Sequence, residues 1–231
     1  MKKILEHLRK MGVNSKHLKF LNPNWYQAAV GGMWDEIGKL QFEFLIKEGL
    51  KPEHFLLDVG CGSLRGGVHF IRYLDRGRYY GIDMEESLLD AGKGILKKNK
   101  LGHKKPTLVE MSNFNLSSLG QDFDYALAQS LFTHLPLNSI IKCVMHIDKV
   151  LVKGGRFYAT FFESSEGKKH LDPVMHPHTN GTEFATYFDR DPYHYDFETF
   201  KWVCEGTGLR VERIGEWGHP KDQKMMFFEM M

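Results

Sequence analysis

The sequence has little cysteine, little net charge and no long apolar run. Its three cysteines are odd in number and widely spaced, which favours neither a disulfide framework nor a CxxC metal site. A net charge of +2 gives no strong electrostatic reason to expect a nucleic-acid partner. No stretch approaches the roughly 20 apolar residues of a membrane-spanning helix, and the first residues are too polar for a signal-peptide core. These absences predict a reduced, cytoplasmic protein without a membrane span.

The length and the hydrophobic pattern predict one α/β domain. A chain of 231 residues has room for one domain with a substantial core, whereas two domains would be cramped. Strand patterns occur at residues 55–59, 78–83, 107–111, 123–130 and 155–163. Helical patterns occupy residues 66–74, 85–98 and 137–151, after an N-terminal helical segment within residues 1–50. Strands that alternate with helices in this way indicate a doubly wound, mostly parallel sheet.

The C-terminal part of the chain predicts an antiparallel end to that sheet. A last helix is expected over residues 196–209, and two strands follow in RVERIGEW and QKMMFFEM, separated only by GHPKD. So short a connection permits a hairpin and excludes a parallel crossover. We therefore expect a seven-stranded sheet that closes with an antiparallel terminal hairpin.

The stretch FLLDVGCGSLRGGVHF, residues 55–70, carries the strongest functional signal. Glycines after a strand tolerate positive φ and let a ligand approach without a Cβ in the way. The helix that begins behind them offers unpaired N–H groups to an anionic group. Asp83 ends the second strand, where a carboxylate can accept hydrogen bonds from ribose hydroxyls. Turn and acid together predict a nucleoside-containing cofactor, and the alternative is a turn that serves only a tight corner.

Two classes of cofactor fit such a turn. A dinucleotide needs a pyrophosphate cradle, usually GxGxxG, whereas the spacing here is Gly60, Gly62 and Gly66 with Ser-Leu-Arg in between. A sulfonium nucleoside instead presents the ammonium and carboxylate of an amino acid. Asp58 would then face a cationic group or organise the turn through hydrogen bonds. The antiparallel terminal hairpin also fits poorly with a dinucleotide domain.

Four motifs together resemble the class I S-adenosylmethionine-dependent methyltransferases. They are, in order, LLDVGCGSLRGG, YYGIDMEESLLDAG, FDYALAQSLFTHLP and VLVKGGRFYATF. The resemblance covers roughly residues 34–163 by motif, and the closing helix and hairpin match that family's sheet with its antiparallel seventh strand. It implies a Rossmann-like fold, methyl transfer, and S-adenosylmethionine at the C-terminal ends of the first strands.

The resemblance also implies which residues contact the cofactor. The backbone of Gly60, Cys61 and Gly62 is expected against the methionine part. Arg65 is expected either at the cofactor carboxylate, or as a surface charge at the helix start or an internal partner of an acid. Asp83 resembles the family's ribose-binding acid. The other expected contacts are Met84 beside the adenine, Asn113 and Phe114 where many relatives carry an acid for the adenine amino group, and Gln129 and Ser130 near the sulfonium.

Two residues are candidates for a catalytic base, which an alcohol or phenol acceptor would need in order to lose its proton. His134, in FTHLP, follows the fourth strand on the cofactor side, where the resembled family often carries a histidine. The alternative is a histidine that fixes the loop through a backbone hydrogen bond. Glu163 ends the fifth strand and is expected to point into the same crevice, as a base, as a ligand for an ammonium substrate, or as a solvated strand end.

Residues 164–195 show no clear regular pattern, which is typical of a substrate lid or binding loop. The HPH motif of His176 and His178, with further His and Asp nearby, is compatible with a metal site. Proline stiffens that motif and no helix brings the rings together, so we expect a lid and no metal. His219, in the turn of the terminal hairpin, is expected to be exposed to water, near the mouth of the same site.

The sequence therefore predicts a single-domain methyltransferase that uses S-adenosylmethionine and acts on a small molecule, such as a sugar or another secondary metabolite, through an oxygen atom. One alternative is methylation of protein or RNA. The alternative from another class is a nucleoside-binding scaffold or sensor without catalysis, against which the intact GCG turn and Asp83 argue. No sequence feature indicates the oligomeric state.

Overall fold

A computed structural model describes residues 24–164, 171–177 and 181–231. Residues 1–23 of the expected N-terminal helical segment, together with His178 of the HPH motif, lie outside the described residues. Two helices precede the first strand, α1 (Trp25–Ala29) and α2 (Trp34–Lys47). None of the helices in the described ranges is long and apolar enough to cross a membrane.

Strands and helices then alternate as the sequence predicts. The strands are β1 (Leu56–Val59), β2 (Tyr79–Asp83), β3 (Thr107–Glu110), β4 (Phe123–Ala128) and β5 (Leu151–Glu163). The helices between them are α3 (Gly67–Tyr73), α4 (Glu86–Lys98) and α5 (Leu137–Ile147). Short 3₁₀ turns lie at Gly102–Lys104, Leu116–Leu119 and Phe132–His134. After β5 come β6 (Val174–Pro177), β7 (Glu183–Thr186), β8 (His194–Tyr195), α6 (Phe197–Cys204), β9 (Leu209–Gly215) and β10 (Lys224–Met230).

The main sheet has the order β3-β2-β1-β4-β5-β10-β9, and β8 pairs with the end of β5. Strands β1 to β5 are parallel, whereas β10 is antiparallel to both β5 and β9. This confirms the predicted doubly wound fold with its antiparallel terminal hairpin. The strand order reverses between β1 and β4, and ligands of open α/β sheets bind at such a point, beyond the carboxyl ends of the strands.

Both faces of the sheet are covered by helices. Side chains alternate along β1, so that Leu56 packs with the cluster under α2, α3 and α4, while Leu57 and Val59 pack with the cluster under α5 and α6. Asp58 lies on the same face as Leu56 and is buried. A parallel sheet buried on both faces accounts for the near-continuous apolar character of its central strands.

The expectation of an irregular segment at residues 164–195 is wrong for its described part. Strands β6 and β7 pair as an antiparallel hairpin, with His176 opposite Phe184, and β8 extends the main sheet. Residues of β6 alternate between buried and exposed, with Val174 and His176 inward. The inward positions of this hairpin include a histidine and Thr186 rather than apolar residues only, which conceals the alternation in the sequence.

Candidate active site

A cavity of about 600 Å³ opens beyond the carboxyl ends of the central strands, and the glycine turn that follows β1 lines it. Its lining residues come from segments 28–31, 58–66 and 129–134, from the β9–β10 connection, and from Asp83. Small-molecule and cofactor sites have volumes of a few hundred to about 1,000 Å³. The cavity therefore brings together most of the residues that the sequence singles out.

The turn after β1 requires glycine for its backbone and for its close contacts. Gly60 and Gly62 have φ of 75° and 54°, and the N–H groups of Gly60 and Cys61 both donate to the carbonyl of Ile82, at 2.8 and 3.0 Å. A Cβ on Gly62 would lie 2.8 Å from Cγ1 of Val30. This glycine thus allows the segment before α2 to close against the turn.

Asp83 holds the turn while it faces the cavity. Its Oδ2 accepts from the N–H of Gly62 at 2.8 Å, and its Oδ1 accepts from the N–H of Glu85 at 2.9 Å. Burial raises the pKa of Asp83, although these hydrogen bonds counteract the effect. A carboxylate has about four acceptor positions, so Asp83 keeps acceptor capacity for a ligand in the cavity that it lines.

Asp58 is a buried acid beneath the turn. The hydroxyl of Tyr79 donates to its Oδ2 at 2.6 Å. Burial raises the pKa of Asp58 to about 7, against the opposing effects of the Tyr79 hydrogen bond and the positive charge of Arg65. The carboxyl also lines the cavity. Asp58 therefore combines a fixed internal partner with a position at the cavity.

Arg65 is an internal residue, so the alternative of a surface charge is wrong. Its side chain is only 6% exposed. Nη1 donates to the carbonyls of Val30 and Gly32 at 2.8 and 3.0 Å, and Nη2 donates to Oε1 of Gln129 at 2.6 Å. Burial lowers the pKa of Arg65 to about 10, which still leaves a cation at neutral pH. Arg65 thus links the segment before α2 to the end of β4.

His219 is buried, contrary to the expectation of an exposed turn histidine. It is 6% exposed, because the indole of Trp217 in the same connection stacks on its ring at 5.5 Å. Its Nε2 lies 3.2 Å from Nε2 of Gln129. Burial, with the nearby charges of Arg65 and Lys221, lowers the pKa of His219 to about 3. The imidazole is therefore neutral at physiological pH.

His134 lines the mouth of the cavity and pairs with an acid. Its Nδ1 lies 2.5 Å from Oδ1 of Asp191, and both side chains are largely exposed. The partner is a side chain from the segment between β7 and β8, not the backbone of the loop that carries His134. The structure therefore joins this segment to the end of β4 at the entrance of the cavity.

Glu163 does not point into the cavity, which corrects the expectation for this residue. It forms an ion pair with Arg213 of β9, so its position on β5 turns the carboxylate toward the terminal hairpin. Three other predicted contacts also lie outside the cavity lining. Met84 is 64% exposed, Oδ1 of Asn113 accepts from the N–H of Asn115, and Phe114 packs partly buried against the core.

Sequence reasoning did not select several residues of the site. Lys221 donates to the carbonyl of Gly31 at 3.1 Å, and Gln223 accepts from two hydroxyls that line or support the cavity. The polar Gln223 directly before the apolar strand β10 and the GG pair before α2 were the available signals. Within the described ranges, no group of three or more His, Cys, Asp or Glu residues could hold a metal ion.

Comparison with known proteins identifies a methyltransferase domain. Residues 57–157 match the family described as a methyltransferase domain. The matched residues form a methyltransferase domain, and the fold around them supports the resemblance to the class I S-adenosylmethionine-dependent methyltransferases. The cofactor of this enzyme is S-adenosylmethionine, and a cavity lined by the glycine turn and by Asp83 suits a nucleoside cofactor.

Solved structures show that the methyltransferase fold extends over most of the chain. A methyltransferase from Clostridium acetobutylicum is 11% identical, with 94% of this chain and 99% of that chain covered and a TM-score of 0.65. The CcbJ methyltransferase from Streptomyces caelestis is 15% identical, with 84% and 89% covered and a TM-score of 0.63. Magnesium protoporphyrin IX methyltransferase from Synechocystis, with bound cofactor, is 14% identical, with 85% and 81% covered and a TM-score of 0.58. At such identities the likeness concerns the fold.

Proposed function

We propose that this methyltransferase acts on a small molecule and that the accepting atom is an oxygen. The observation that carries the proposal is the pair of His134 and Asp191 at the mouth of the cavity, with 2.5 Å between Nδ1 and Oδ1. A hydroxyl must lose its proton to become a good nucleophile, and a positioned histidine accelerates that transfer. An amine acceptor with a free lone pair has no such need.

The pair has the chemistry of an oriented base. A carboxylate on Nδ1 keeps a proton on that nitrogen, so that Nε2 carries the lone pair that can accept a proton from a hydroxyl. The negative charge of Asp191 then stabilises the imidazolium that forms. The lining of the cavity also includes apolar side chains, which suits a compact organic acceptor. They are Leu131, Phe162, Phe184 and Pro192.

The proposal also says which residues of the cavity would hold the cofactor. When bound there, S-adenosylmethionine supplies a methyl group already activated by the positive charge of its sulfonium. Asp83 would hold the ribose hydroxyls, and Asp58 and Arg65 would lie at the amino-acid part together with the backbone of residues 60–62. Gln129 and Ser130 would contact the region of the sulfonium. Positioning of the two reactants then provides much of the rate enhancement.

Two further proposals concern the organisation of the protein. Residues 164–195 act as the substrate lid of a single domain, because this segment contributes Phe184 and Pro192 to the cavity and Asp191 to His134. The cytoplasm is the proposed compartment, because all three cysteines are buried and unpaired, as expected for a reducing environment.

A labelled-cofactor screen tests the proposed function. Wild-type protein with methyl-labelled S-adenosylmethionine is offered phenols, sugars, amines, a protein mixture and RNA, and label is expected in the hydroxyl compounds. His134→Gln should lower kcat by about 10²- to 10⁴-fold, while the Kd of S-adenosylhomocysteine stays within twofold. His103→Gln, an exposed histidine bonded only to a backbone carbonyl, is the matched control. Label transfer to amines only, or full activity of His134→Gln, would contradict the proposal.

A further inference from the structure

A chain of hydrogen bonds runs below the cavity from Arg65 to Gln223. Nη2 of Arg65 donates to Oε1 of Gln129, and Nε2 of Gln129 donates to Oγ of Ser130 at 2.7 Å. The Ser130 hydroxyl in turn donates to Oε1 of Gln223 at 2.9 Å. A second branch leads from the N–H of Ser130 to Oγ1 of Thr160 at 2.7 Å, and from that hydroxyl to the same Oε1 at 2.8 Å. Gln129 and Ser130 directly follow β4, and the other three residues are hydrogen-bonded to them.

The guanidinium of Arg65 determines the direction of this chain. Arginine can only donate, so Gln129 must present Oε1 to it and Nε2 to Ser130. The Ser130 oxygen thus accepts one hydrogen bond, and its own proton is directed to Gln223. From the guanidinium to the Ser130 hydroxyl, each donor of this branch then meets an acceptor.

The second branch reaches the same result independently. A backbone N–H also only donates, so Oγ1 of Thr160 accepts from Ser130 and directs its proton to Gln223. Both hydroxyl protons meet at one atom of the Gln223 amide, which must be the oxygen. The amide orientation of Gln223 is therefore fixed, with Oε1 toward the protein and Nε2 on the other side.

The Nε2 group of Gln223 has no hydrogen-bond partner among the described residues. Gln223 is 4% exposed and lines the cavity, and the one unpaired side-chain atom that is fully sealed from solvent in the described ranges is Nδ1 of His146. Nε2 is therefore not sealed, and the open space beside Gln223 is this cavity. The indole of Trp217 fixes the backbone as well, because its Nε1 donates to the carbonyl of Gln223 at 2.9 Å.

We propose that Gln223 is a substrate-binding residue that donates a hydrogen bond from Nε2 to a carbonyl or similar acceptor oxygen of the methyl acceptor. The inference rests on the proposed function, in that the acceptor shares the cavity with the cofactor. It narrows the substrate class to small hydroxylated molecules that also carry such an oxygen. Leu131, Phe162 and Phe184 also line the cavity, and these apolar side chains suit an acceptor with an apolar body.

Matched neutral probes test this donor without any need for turnover. The 2-, 3- and 4-hydroxyacetophenones carry a carbonyl that the corresponding ethylphenols lack, and their binding is measured by calorimetry with S-adenosylhomocysteine present. For at least one isomer, wild-type protein should bind the ketone about fivefold more tightly than the ethylphenol, as for one neutral hydrogen bond. Gln223→Glu keeps an acceptor for both hydroxyls and replaces the donor with a charged oxygen, so this preference should disappear.

Two controls separate the proposal from simpler effects. Gln121→Glu adds the same charge at a glutamine outside the cavity and should keep the preference of the wild type. Gln223→Met removes both polar atoms and should lose the preference without adding any charge. A preference retained in both Gln223 variants would overturn the proposal, and so would the absence of any preference for a ketone, or of any probe binding, in the wild type. Failure of methyl transfer with an intact preference would refute the proposed function alone.

Discussion

The substitution Asp83→Ala gives a quantitative test of the cofactor site. The carboxylate accepts from the N–H groups of Gly62 and Glu85 and lines the cavity. A hydrogen bond to a charged group contributes about 1.5–3 kcal/mol, so loss of the ribose contact should weaken the binding of S-adenosylhomocysteine by about 10- to 150-fold. Titration calorimetry measures this change directly.

The same substitution should also lower stability, which separates the two roles of the carboxylate. The buried N–H of Gly62 loses its partner, at a cost of about 1–3 kcal/mol in the free energy of unfolding without ligand, measured with urea. Asp90→Ala removes an exposed acid paired with Lys93 and is the matched control. An affinity within twofold of the wild type in folded Asp83→Ala protein would refute the assignment of the ribose site to this residue.

Two further substitutions test the packing and the charge of the site. Gly62→Ala should lower the free energy of unfolding by about 1–3 kcal/mol, because φ is positive at this position and the new Cβ would lie 2.8 Å from Val30. The control is Gly94→Ala, on a helix, where no atom lies within 4 Å of the new Cβ; it should be neutral or stabilising. Asp58 has a folded-state pKa of about 7 against about 3.9 when unfolded. Its protonated form therefore favours folding below pH ~4, and this contribution is lost as the pH rises through about 7. Relative to Asp58→Asn, the unliganded wild type should lose at most about 4 kcal/mol of unfolding free energy over that interval. The free energies of unfolding of both proteins are measured with urea from pH ~4 to ~8. Parallel dependence on pH would refute the raised pKa of Asp58.

The elements of the sheet were predictable because their local signals agree with their surroundings. Buried strands such as β1 and β4 are short apolar runs bounded by turns, and the five-residue GHPKD connection allowed only a hairpin. The hairpin of β6 and β7 was not predictable in this way. Its inward positions carry His176 and Thr186, which bond each other at 3.1 Å, so polar residues that satisfy each other take the place of an apolar face.

The site was predictable where the chemistry is local and unpredictable where it depends on distant segments. The glycine turn follows β1 and Asp83 ends β2, and these are the two adjacent parallel strands of one βαβ unit, so the fold itself brings them together. His219 and Gln223 reach the cavity only through the β9–β10 connection, about 90 residues from Gln129 and Ser130. Glu163 was placed at the correct strand end, but its pairing with Arg213 depends on a strand that is not its immediate neighbour in the sheet.

The hydrogen bonds of the first glycine turn have a consequence for the charge of the ligand. The N–H groups of Gly60 and Cys61 both donate to the carbonyl of Ile82, and that of Gly62 donates to Asp83. Three successive amides are thus engaged within the protein, and a pyrophosphate, which needs free amide donors, would find none of them available. Two acids, at positions 58 and 83, flank the same turn. Although its glycine spacing is similar to that of a phosphate-binding loop, the turn is therefore suited to a ligand that does not depend on these amide donors.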